Sequence, residues 1–270
     1  MRNRRKTAFA FMALALAAAL LASCSDTLNR IFKYGPSRVD NYKIFDGRVL
    51  KAAEKPHKFN DRTGENLVPA EIPVPGRKKP VVLESFIKGR DTAAFLIIRG
   101  NDLLYERYFN GYKRDSMVQI FSVSKSVTSM LVGEAIREGK LKGTDQSVTD
   151  LVPELRPYGF DAVKVGHLLQ MTSGSDYCES DNPFGVHPAM YYGRDMTPYL
   201  FGLRLEDPPG RVYRYKSGDT ELLGLMLSRA LAPSSITGYA QKELWEPLGM
   251  EYDGFWATDR PDGLEKVYCC

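Results

Sequence analysis

Residues Phe121 to Leu141 read F-S-V-S-K-S-V-T-S-M-L-V-G-E-A-I-R-E-G-K-L, and this stretch governs the reading of the rest. Val123, Val127, Met130, Leu131 and Ile136 recur near a helical period and Gly139 follows as a stop, so the spacing predicts a buried helix over Ser122 to Glu138. Ser122 and Lys125 share one helical face at its start, where an ammonium can approach a hydroxyl. Serine is a poor nucleophile until a base takes its proton, and lysine can act as that base when burial or a neighbouring cation lowers its pKa. A helix start adds amide donors and a positive dipole end that favour an oxyanion. The letters S-x-x-K are weak alone, since Ser85, Phe86, Ile87 and Lys88 spell a second copy. Ser85 falls inside a short amphipathic helix, whereas Ser122 opens a long apolar one after a strand-rich region. The competing reading of Ser122 is a helix-cap serine.

Upstream, Ala93–Arg99 and Leu103–Phe109 are β-rich runs on either side of Gly100, Asn101 and Asp102, a hairpin pattern. A short helix is expected over Val81–Lys88 and extended chain over Lys51–Pro80. Downstream, Lys140–Pro208 reads as a mostly helical subdomain with many loops, and Thr220–Leu231 and Ile236–Trp245 read as helices.

The chain has 270 residues, 43% of them hydrophobic, enough to bury a sizeable core. Its net charge of +4 is matched by Arg2, Arg4, Arg5 and Lys6 alone, so the remainder is close to neutral and gives no support for nucleic-acid binding. That basic run, the apolar stretch Ala8–Ala22 and then Cys24 read as an export signal. Leu21, Ala22, Ser23 and Cys24 resemble the lipobox of bacterial lipoproteins, which implies diacylglyceryl attachment at Cys24 and a membrane partner reached through a lipid anchor. Ser25 after the cysteine resembles sorting to the periplasmic side of the outer membrane. The expected organisation is a signal peptide over 1–23, a lipid-anchored polar tether over 24–44 and one hydrolase domain over 45–270. Cys178, Cys269 and Cys270 cannot all pair within one chain; a bridge from Cys178 to either of the others is open. With His57, His167 and His187 as the histidines and no metal spacing, neither a metal nor an organic cofactor is expected.

Phe121–Leu141 resembles the active-serine helix of the class C β-lactamase superfamily, especially its esterase and 6-aminohexanoate-dimer hydrolase branch. His167–Gly174, Pro209–Gly224 and Leu244–Met250 resemble further segments of that family in the family's order. The resemblance implies an α+β, β-lactamase/transpeptidase-like fold: an antiparallel sheet with flanking helices plus the mostly helical subdomain. It implies a serine hydrolase acting on a small-molecule or peptide-like amide or ester, with Ser122 as nucleophile, Lys125 as its base and Tyr215 shuttling protons. Ser217 stands where the family's Tyr-x-Asn motif has asparagine, which argues against recognition of a β-lactam side chain. Ser217, Tyr177, Tyr191 and Tyr192 are candidate substrate contacts, His167 a structural residue, and the triplet Lys216-Ser217-Gly218 a coincidental match to the family's third motif. The resemblance also places three sheet strands and one oxyanion-hole amide beyond Cys270, so a truncated sheet is expected. A cell-wall D,D-peptidase or β-lactamase, and a non-catalytic lipoprotein binding module, are the alternatives.

Overall fold

The computed structural model describes residues 26–269; the lipobox with Cys24, and Cys270, lie outside them. In chain order the elements are α1 (residues 26–34), β1 (Asp46–Leu50), β2 (Asn60–Asp61), β3 (Glu71–Ile72), β4 (Val81–Val82), α2 (Leu83–Lys88), β5 (Ala94–Arg99) and β6 (Asp102–Tyr108). Then follow α3 (Ser124–Arg137), α4 (Val165–Leu169), α5 (Val186–Tyr192), α6 (Thr197–Phe201), α7 (Ser217–Leu231), α8 (Ile236–Ala240) and β7 (Gly254–Thr258). The chain divides into two compact units. One takes the described residues up to Lys51, Val118–Pro247 and those from Asp253 on; the other takes Ala52–Met117 and Leu248–Tyr252.

In the second unit β5 and β6 make the expected hairpin, paired antiparallel from Ala94↔Tyr108 to Arg99↔Asp102 with an irregularity at Ile97/Ile98. Gly100, at φ +60°, makes the turn that an L side chain resists. Two residues of β2 pair parallel to β6, giving the order β2-β6-β5, and Leu83 and Ile87 of α2 pack with Phe109 into a small core. The stretch expected as extended chain is mostly that, apart from β2, β3 and a 3₁₀ turn at Thr63–Glu65.

In the first unit β1 pairs antiparallel with β7 from Asp46↔Thr258 to Leu50↔Gly254. The most buried helix is α7, in which every residue from Ser217 to Leu227 is inside. A helix enclosed all round lies at the centre of its core. The expectation that α3 holds that place is corrected: Val123 and Met130 are 62% and 50% exposed. Its inward face is instead Ser124, Thr128, Leu131, Val132 and Ala135. Burying the two hydroxyls costs little because Ser124 Oγ donates to Phe121 O and the one proton of Thr128 Oγ1 has two carbonyls in reach, Val267 O at 2.9 Å and Ser124 O at 3.0 Å.

The residues read as a polar tether are corrected as well. Residues 26–34 are helical, Thr27 and Ile31 are buried, and Arg30 donates to Tyr192 O at 2.8 Å and to Ile44 O at 3.0 Å. A single buried apolar residue and an arginine capping two carbonyls dock this helix, too little periodicity to be seen in sequence. The 140–208 region is helical as expected, in short α- and 3₁₀-helices joined to the core of α3 and α7. Cys178 is exposed and Cys269 buried, and no bridge joins the two.

Candidate active site

The approach to Ser122 is built from a strained turn. Phe121 has φ +47°, a left-handed conformation that costs a bulky residue about 1–3 kcal/mol and persists only where its surroundings hold it. They do: Gln119 N donates to Val39 O at 2.8 Å, and its side-chain Nε2 donates to Tyr191 Oη at 2.8 Å and Cys269 O at 3.2 Å. Ser124 Oγ holds Phe121 O at 2.7 Å. Ser122 therefore sits in the 3₁₀ turn Phe121–Val123, ahead of α3, rather than opening the α-helix itself. The bend leaves its side chain exposed.

Lys125 Nζ lies 2.9 Å from Ser122 Oγ, hydrogen-bonded to it, and donates to Tyr268 O, also at 2.9 Å. The ammonium stands 4.8 Å from the centre of the Tyr215 ring and 5.8 Å from that of Tyr268, both within cation–π range. Ser122 and Lys125, one turn apart, are thus met by Tyr215 from far along the chain. The hydroxyl is accessible, the amine is aimed by a backbone carbonyl, and a phenol half open to solvent borders both. This arrangement can pass a proton between hydroxyl and amine.

The expected substrate contacts fare differently. Tyr191 and Tyr192 are buried in the core, where Tyr191 Oη accepts from Gln119 and Tyr192 Oη donates to Gly35 O; neither can touch a substrate. Large aromatic side chains on a short helix were placed at the cleft by resemblance, but they supply the area its core needs. Tyr177 is buried too, its hydroxyl 2.8 Å from His187 Nδ1. Burial and the Glu179 carboxylate push its phenol far up, so it stays protonated. It reaches this position because residue 218 is glycine: a Cβ there would lie 2.6 Å from Tyr177 Cδ2. Ser217 is buried, and its N–H and Oγ donate to Glu179 Oε2 at 2.7 Å and Oε1 at 2.6 Å. Its hydroxyl is engaged by a carboxylate rather than offered to a ligand.

Glu179 and His187, 3.6 Å apart, were missed in sequence. No periodicity links them to Ser217, 38 positions from Glu179, and only the fold brings them together. Next to Tyr215 in the chain, Lys216 Nζ donates to Ser175 O, and Asp219 accepts from Ser173 Oγ at 2.6 Å. Burial pushes the Asp219 carboxyl up to about 6, against the pull of Ser173 and Lys216. Lys216-Ser217-Gly218 opens α7 and does not lie on a strand. Ser85, of the second S-x-x-K, stands exposed on α2 in the other unit. His167 packs against Gly210, with Nδ1 3.3 Å from Lys164 N. Among the described residues, carboxylates of Glu134, Glu138 and Glu243 cluster, each already paired with Arg137, Lys140 or Lys242.

Comparison with known proteins adds the family. Residues 82–263, which include Ser122, Lys125 and Tyr215, match the Beta-lactamase family model. The 6-aminohexanoate-dimer hydrolase of Paenarthrobacter ureafaciens is 38% identical over 199 residues, covering 66% of this chain and 48% of that protein. Protein flp of Staphylococcus aureus is 24% identical over 180 residues, 62% of this chain and 35% of that one. The chain therefore spans about half or less of the length of these curated relatives. A solved Bacillus anthracis structure, provisionally assigned as a 6-aminohexanoate-dimer hydrolase, superposes with TM-score 0.75 at 19% identity, over 86% of this chain and 63% of that one. That likeness shows the fold, an α+β architecture of the β-lactamase/transpeptidase type. With its serine–lysine helix and tyrosine segment inside the matched region, the chain belongs to the beta-lactamase family.

Proposed function

We propose that this chain carries the nucleophile of a serine hydrolase that cleaves an amide or ester through an acyl-Ser122 intermediate. The observation that carries the reading is the 2.9 Å hydrogen bond between an exposed serine hydroxyl and a lysine amine held from behind by Tyr268 O. Lys125 takes the Ser122 proton while Oγ bonds to the carbonyl carbon, and the Ser122 N–H faces the oxygen that gains charge. Collapse of the tetrahedral intermediate breaks the C–N or C–O bond; the leaving group takes a proton by way of Tyr215. Water then attacks the acyl-serine, giving up its proton to the same pair and regenerating the hydroxyl.

Linear amides and esters are favoured over β-lactams. A buried Ser217 bonded to Glu179 presents no carboxamide to a lactam side chain, and the relative that is 38% identical is a 6-aminohexanoate-dimer hydrolase. The lipobox supports an exported lipoprotein anchored through Cys24 on the periplasmic side of the outer membrane.

A fluorophosphonate probe tests the catalytic reading: the folded chain labels on Ser122, and Ser122→Ala does not. A folded chain that never labels would instead be a binding module. Palmitate incorporation lost in Cys24→Ser tests the anchor, independently of labelling.

A further inference from the structure

We infer that Glu221, on α7, is a positioning residue for Lys125, acting through the backbone strap of residues 265–269 that lies between α7 and α3. This rests on the reading of Lys125 as the base of Ser122.

Val267 N donates to Glu221 Oε2 at 3.1 Å, alongside a local bond to Glu265 O. The carbonyl of Val267 accepts from Thr128 Oγ1 of α3 at 2.9 Å, and the next carbonyl, that of Tyr268, accepts from Lys125 Nζ at 2.9 Å. The peptide that Glu221 grips from α7 is thus one peptide away from the one that aims the amine at Ser122, and the peptide between them is the one whose carbonyl Thr128 holds. Gly224, one turn beyond Glu221 on the same face, lets the strap lie against α7: a Cβ there would be 2.4 Å from Val267 Cγ2. Upstream, Lys266 N donates to Ala257 O at 2.8 Å and Lys266 Nζ to Met190 O at 2.7 Å. The strap is therefore pegged on both sides of Val267.

Glu221 is 1% exposed, and its Oε1 has no hydrogen-bond partner among the described residues. A fully buried carboxyl with one unmatched oxygen is a poor way to gain stability. Burial pushes this carboxyl up, against the pull of Lys266, with Cys269 and Asp259 also facing it. A neutral carboxyl accepts from Val267 N through its carbonyl oxygen, and a glutamine amide offers the same acceptor. Around Lys125 stand the Ser122 hydroxyl and the Tyr215 and Tyr268 rings.

The test is the second-order rate constant of fluorophosphonate labelling against pH, on the full chain, with thermal melts to verify folding. Glu221→Leu, and Glu221→Asp, whose carboxyl is withdrawn by one methylene, are expected to label about 10- to 100-fold more slowly, the loss typical of a reacting group displaced by about 1 Å. The pH midpoint of labelling shifts with them, and Glu221→Gln restores both. Thr128→Val, which frees Val267 O on the α3 side, moves the midpoint the same way and decides the matter if the Glu221 variants fail to fold. Folded variants that keep the parent rate and midpoint would overturn the inference. A parent that folds and does not label overturns the hydrolase reading, and this inference with it.

Discussion

Ser122 owes its exposure to Phe121, and its partner to three residues of ordinary helical spacing. If the amine is the base, then Lys125→Ala slows fluorophosphonate labelling by about 10²–10⁴-fold, the usual contribution of a positioned base. Lys125→Arg does no better, because a guanidinium stays protonated at any working pH. A Lys125→Arg protein labelling at the parent rate would rule the amine out. Asp219 makes a separate prediction about stability. Its carboxyl titrates at about 6 in the fold against 3.8 ordinarily, so the folded chain binds this proton more tightly than the unfolded one. The stability this contributes is fully present below about pH 4 and is lost as pH rises through about 6. The loss is on the order of 3 kcal/mol for a shift of this size. Urea unfolding of Asp219→Asn and the parent should show the variant gaining on the parent by ~2–3 kcal/mol between pH 4 and pH 8. A difference that stays level across that range would place the carboxyl outside the titration.

Among the elements, α7 carries the most, since every residue from Ser217 to Leu227 is buried and Glu221 on it holds Val267 N. Gly224→Ala tests how closely the strap must approach it. Alanine favours helix by up to ~1 kcal/mol over glycine, but the new methyl would lie 2.4 Å from Val267 Cγ2, and overpacking of that kind costs ~1–3 kcal/mol. The clash is expected to win, with a lowered melting temperature and slower labelling; an unchanged melt would mean the strap gives way freely. The hairpin β5–β6 and the helices α2, α7 and α8 could be read from alternation, periodicity and stop signals, because these are local. The inward face of α3 could not. Its apolar residues suggested one stripe, while hydroxyls that bond to nearby carbonyls allowed Ser124 and Thr128 to turn inward.

At the scale of the whole molecule, the charge excess is matched by Arg2–Lys6 alone and the remainder of the chain is close to neutral. β5 stands at one end of the order β2-β6-β5, with Leu96 and Ile98 each 43% exposed. An unpaired edge carrying apolar side chains templates further pairing. Leu96→Lys with Ile98→Lys is expected to suppress concentration-dependent association in sedimentation velocity without altering labelling; association unaffected by the pair would place its cause elsewhere. By itself the sequence determined the family and the α+β class and singled out Ser122, Lys125 and Tyr215 as candidates, because those signals are short-range motifs that follow one another in the family's order along the chain. Tertiary structure alone decided that Tyr191 and Tyr192 are core, that Ser217 belongs to Glu179, that residues 26–34 dock as a helix, and that the strap reaches Lys125. Each of those outcomes depends on which distant surfaces meet and how fully they exclude water, and neither is encoded in the spacing of neighbouring residues.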